Sequence, residues 1–126
     1  MRRFWLGAAL LAALLGVGLW TQAGMDRLHL PAAEDFSRAA SAAMAGDWET
    51  ARSLSARAAG NWRENRSFTA SLADHSPMDE VDLLLAEMEI YRQAEDGPHF
   101  AACCVQLAAM SRAMADAHNL SWWNLL

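Results

Sequence analysis

Residues 4 to 20 carry no charged side chain. A helix this apolar on every side has no face to turn to water, so it does not suit the surface of a soluble domain. As a helix the run rises about 1.5 Å per residue, roughly 25 Å in all. That is slightly less than a bilayer core of about 30 Å, and Thr21-Gln22-Ala23 bring it close to spanning length. Arg2 and Arg3 precede it and no second such run follows, which reads as an N-terminus inside the cytoplasm and everything after the run outside. Trp5 and Trp20 stand near its two ends, at the headgroup level that tryptophan prefers.

An uncleaved anchor and a cleaved signal peptide both begin this way. A signal peptide needs an apolar stretch of about 7–15 residues and small residues at the cut. Thr21-Gln22-Ala23 before Gly24 supplies a tolerable cut site, but the apolar stretch is long for that role. Length and the two tryptophans favour an anchor over residues 1–23. Arg2-Arg3 lacks the preceding polar residue of a twin-arginine signal.

Roughly 100 residues remain, enough for one small domain. The chain has 10 basic and 15 acidic residues and a net charge of −5. Its arginines are scattered, so the basic stripe of a nucleic-acid binder is missing. Alanine, leucine and methionine abound, Gly and Pro are sparse, and no window alternates apolar and polar residues with a period of two. Helices are expected and strands are not.

Residues 24–30 read as a linker, followed by an exported domain over residues 31–126. Pro31 is placed to open a helix in which Phe36, Ala40, Ala43 and Met44 share a face. Gly46 ends it, and Asp47 caps the next helix. There Trp48, Ala51, Ser55, Ala58 and Trp62 form a stripe, and the helix continues toward Leu72. Ser76-Pro77-Met78-Asp79 is a third helix start. Met78, Val81, Leu85 and Met88 make its buried face, with Leu84 and Tyr91 beside them. Asp96-Gly97-Pro98 stops it and begins a fourth, with Phe100, Cys103, Leu107, Met110, Met114 and Ala117 inward, to about His118. The fold expected is all-α: one membrane helix followed by a four-helix antiparallel bundle of two hairpins. Corners about 50 residues apart suggest a duplicated, tetratricopeptide-like unit.

Several of these residues form a wider pattern. Tryptophans lie in the second exported helix, at Trp48 and Trp62. His75 precedes the start Met78-Asp79-Glu80-Val81, and the chain ends in Asn124-Leu125-Leu126. With its N-terminal membrane segment, the chain resembles domain-of-unknown-function family 4363, a group of small membrane-anchored bacterial proteins. The resemblance spans nearly the whole chain. Acidic residues commonly follow the His in that family, whereas Ser76 and Pro77 stand here. The resemblance implies a fold and an address but no activity.

Chemical motifs are weak. Cys103 and Cys104 are adjacent, so they cannot pair within a helix, and they read as small apolar core residues. A reactive thiol or an intermolecular disulfide is the alternative. His99 and Cys103 are four apart, as two metal ligands would be, but a zinc site needs two or more further ligands, from His75 or His118. His75 beside Asp79 reads as turn closure rather than an acid–base pair, since no nucleophile accompanies it. No catalytic, cofactor or metal residue is therefore assigned. The tail Leu120 to Leu126, with Trp122 and Trp123, is expected to fold back on the bundle. Contact with headgroups or a partner is the alternative.

The function these features suggest is a non-enzymatic interaction or accessory domain on the outer face of the cytoplasmic membrane, with a membrane or envelope protein as partner. The rival is an exported thiol or metal sensor using Cys103, Cys104 and His99.

Overall fold

The computed structural model describes residues 1–72 and 75–123, with side chains at all of these except 2, 71, 72, 75, 76 and 118–123. Four helices appear among the described residues: α1 (Arg2–Met44), α2 (Trp48–Leu72), α3 (His75–Gln93) and α4 (Gly97–Trp123). The chain is all-α.

Five helices were expected, and the difference lies in α1. Residues 24–30, expected as a linker, are helical, and Pro31 lies inside the helix rather than at its start. The physical reason is a buried stripe that begins before the proline. Met25, His29, Ala32, Ala33 and Phe36 are all buried, at the three- and four-residue spacing of one helix face. Gly24 alone costs about 1 kcal/mol relative to alanine, too little to break a helix held by such a stripe. Pro31 is exposed, so the carbonyl it leaves unpaired can turn to solvent.

The bundle runs up, down, up and down. Opposite α1, α2 returns with Arg57 against Asp35, Trp62 against His29, and the Phe68 ring beside Gly24. α4 also lies along α1, its start at Gly97 next to the Ala43 carbonyl. α3 packs on α4 and touches α2 more thinly. The end of α2, the start of α3 and the end of α4 therefore share the end of the bundle from which the apolar half of α1 projects. That half leaves Phe4, Trp5, Leu10, Leu14, Val17 and Trp20 largely exposed. By length and composition, this one helix could cross a membrane.

The expected core forms. Phe36, Ala40 and Ala43 of α1, Ala51, Ser55, Ala58 and Trp62 of α2, Met78, Val81, Leu85 and Met88 of α3, and Phe100, Cys103, Leu107 and Met114 of α4 are buried. Met44 departs from its stripe and is 62% exposed, because α1 ends there and the chain turns away. Ala117 is exposed, and Trp48 is only half-buried, its ring edge 5.4 Å from Phe100.

Both outer corners use one device. At the first, Gly46 takes φ 79° while the Asp47 N–H bonds the Ala42 carbonyl at 2.9 Å and the Gly46 N–H bonds Ala43 at 3.0 Å. At the second, Glu95 takes φ 52°, with Asp96 bonded to Tyr91 at 3.0 Å and Glu95 to Arg92 at 3.3 Å. Each is a helix end closed by a left-handed residue. Each closing aspartate then caps the next helix. Asp47 accepts the Thr50 N–H at 3.1 Å, and Asp96 accepts that of His99 at 3.2 Å. The left-handed residue at the second corner is Glu95, not the glycine that follows.

Candidate functional site

The most unusual chemistry lies inside the bundle, in the half nearer the apolar segment. A small cavity there is lined by Leu28, His29 and Phe36 of α1, Trp62, Asn65 and Thr69 of α2, Val81 of α3 and Ser111 of α4. It has room for about one water molecule. His29 is 3% exposed and Thr69 is fully buried. Neither the His29 Nε2 nor the Thr69 Oγ1 finds a hydrogen-bond partner among the described residues. Buried polar atoms are nearly always paired, so two orphans lining one cavity mark it as more than packing.

The cluster extends toward α3. The His29 and Trp62 ring centroids are 6.1 Å apart with the planes tilted by 51°. On its other side, the Trp62 indole N–H donates to Asp82 Oδ1 at 2.8 Å, and Arg66 Nε donates to Asp82 Oδ2 at 2.9 Å. Burial pushes the pKa of the His29 imidazole below the ordinary histidine value. The site is thus neutral at its centre, with a carboxylate and a guanidinium at its α3 edge.

A second polar contact ties α1 to α2. Asp35 is buried and accepts Arg57 Nε at 2.7 Å and Nη2 at 2.5 Å. The Arg57 end is open to solvent, and its hydrogen bonds to Asp35, followed by the carboxylate's charge, raise the guanidinium's pKa.

The residues singled out from the sequence do not converge. Cys103 and Cys104 are both buried. Burial pushes the Cys103 thiol pKa up, with the nearby Glu87 charge adding to it. Cys104 is pushed up to about 12, again mainly by burial. His99, four residues before Cys103, points outward. It stacks on Tyr91 at 5.0 Å, and its Nδ1 lies 2.8 Å from Asp96 Oδ2. It serves the α4 cap. Asp79 is exposed and lies 3.6 Å from Arg66. The side chains of His75, His118, Trp122 and Trp123, and all of Asn124-Leu125-Leu126, on which the expected turn role of His75 and the docking of the tail rest, lie outside the described residues. Among the described residues no three His, Cys, Asp or Glu side chains gather as a metal would require.

His29, Thr69 and Asp82 escaped the sequence reading. A signal for His29 existed, since it falls four residues after Met25 and three before Ala32 on the buried stripe. Treating residues 24–30 as linker hid it.

The model of the family described as Domain of unknown function (DUF4363) matches residues 19–125. The match opens at the last apolar residues of the membrane-length run and takes in the whole bundle. No curated protein and no solved structure matches the chain.

Proposed function

The chain belongs to the DUF4363 family, whose description assigns no activity, and from that premise we propose a single-pass membrane protein that works as a non-enzymatic interaction or accessory domain. In this reading the N-terminus stays inside, residues 4–23 span the cytoplasmic membrane, and the bundle stands outside it next to another membrane or envelope protein. The observation that carries it is the continuity of α1. One helix is exposed and apolar in its first half and supplies the bundle core in its second. A bundle fixed to its anchor without a hinge is held close to the membrane face, which raises its effective concentration toward any membrane partner. The thiol-sensor reading loses support from the burial of both cysteines, since a sensor's thiol must be reachable and ionisable.

The test is a reporter fused after Leu126, combined with site-specific photo-crosslinkers on the exposed faces of α3 and α4 in intact cells. The expected result is reporter activity only outside the cytoplasm, retention of the chain after alkaline carbonate washing, and a discrete adduct with one membrane or envelope protein. An active cytoplasmic reporter would reverse the topology. Release by the wash would make the N-terminal run a cleaved signal. Enzymatic turnover by the purified full chain that is lost with a folded single-residue variant would overturn the non-enzymatic role.

A further inference from the structure

We propose that His29 makes the membrane-proximal half of the bundle acid-responsive: proton uptake by the buried ring parts α2 from α1 and lets water into the cavity between them. This goes beyond the interaction role above and does not depend on the identity of any partner.

A neutral imidazole offers one donor and one acceptor, whereas the protonated ring has two donors and a full charge. The cavity does not meet that demand. Its lining from α2 is Trp62, Asn61, Asn65 and Thr69, from α3 Val81, and from α4 Ser111, all neutral. The charged groups nearest this region are already engaged or turned away. On α1, Asp35 is tied to Arg57, and Asp26, half-buried one turn before His29, has no pairing with the ring. On α2, Arg66 is committed to Asp82. On α3, both Asp82 oxygens are taken by Trp62 and Arg66. On α4, Arg112 bonds the Ser37 hydroxyl at 3.1 Å and Asp116 is exposed. Among the described residues, a charge held in the cavity would have no counter-charge, and burying an unpaired charge is costly.

The outlet is α2. Its seam with α3 is thin, crossed by Trp62 and Arg66 reaching the Asp82 carboxylate and by Arg66 near Asp79. Moving the α2 end outward wets the Nε2 of His29 and the Thr69 hydroxyl together, satisfying both orphans. The sign follows from linkage. The folded pKa of His29 lies below its unfolded value of about 6.5, so its neutral form contributes full stability above that pH. That contribution falls as the pH drops from about 6.5 toward the lower folded value, and acid is therefore the opening signal.

The experiment is amide hydrogen exchange on the full chain in lipid nanodiscs at about pH 7.5 and about pH 5, corrected for intrinsic rates. We expect residues 58–70 of α2 to exchange faster at the lower pH, because the protonated ring favours the opened state. Residues 98–110 of α4 should not change. His29→Gln, which keeps polarity without titrating, should abolish the acceleration. His29→Phe should do the same and serves if the Gln variant folds poorly. Equal protection of α2 at both pH values in the parent chain would overturn the proposal, as would an acceleration that survives in either folded variant.

Discussion

The Trp62 indole nitrogen and the Asp82 carboxylate, 2.8 Å apart, join α2 to α3 where the two helices otherwise touch little. Trp62 is 7% exposed, so this hydrogen bond sits at the edge of a large buried ring. Trp62→Ala should cost about 3–5 kcal/mol in urea unfolding of the full chain in detergent. Trp62→Phe keeps most of the apolar area and loses the donor, so it should cost about 1–2 kcal/mol. Equal losses for the two variants would show that the hydrogen bond, not the ring, carries the effect.

The Asp35–Arg57 pair is lopsided, and its two deletions should differ. Arg57→Ala leaves a buried carboxylate without its partner, whereas Asp35→Ala leaves an arginine that is already open to water. Arg57→Ala should therefore lower the urea midpoint more than Asp35→Ala. The reverse order would mean that Asp35 reaches water through another route.

The two corners make a paired prediction. Glu95 bears a left-handed backbone without being glycine, and its exposed ion pair with Arg52 offsets little of that strain. Glu95→Gly should raise the melting temperature by a few degrees, whereas Gly46→Ala should lower it, because there the strain is introduced.

The cap carboxylates set a second acid limit, distinct from that of His29. Hydrogen bonds from the Thr50 side chain and backbone lower the Asp47 pKa, and those from the His99 ring and backbone lower that of Asp96. Their folded values lie below the unfolded aspartate value of about 3.9. Their contribution is complete above that value and is lost as the pH falls through the lowered folded values. In Asp96→Asn, which keeps a capping oxygen but no charge, the loss of stability below about pH 4 should be shallower than in the parent chain. An identical acid limb would exclude Asp96 from it.

Thiol labelling separates core cysteines from a sensor. With Cys104 pushed up to about 12 by burial, it should react with a thiolate-specific reagent at least about a hundredfold more slowly in the folded chain than in urea, and Cys103, also raised, should react more slowly as well. Fast labelling of either one in the folded chain would reopen the sensor reading.

Much of this architecture was legible in advance, because helix periodicity is a local property. Trp62, Val81, Leu85, Phe100 and Leu107 fall on stripes that a linear chain displays, and Asp47 and Asp96 announce caps by residue type and position. The family could likewise be recognised from residues spread along the chain, from Trp48 to Asn124. By itself, then, the sequence determined the helical class, the membrane-length apolar run and most of the core.

Tertiary structure decided what depends on partners distant in the chain. Residues 24–30 are polar enough to read as linker, yet they are helical through Gly24 and Pro31, with Met25 and His29 buried and the His29 ring beside Trp62 of α2. Asp82 lies within a helix start and shows its role only once Trp62 and Arg66 arrive from 20 and 16 residues away. The orphaned atoms of His29 and Thr69 are further apart still along the chain, and one cavity holds both. Periodicity states which face of a helix is buried. It does not state what the opposite helix offers there, and the energy of a buried polar group depends on that offer.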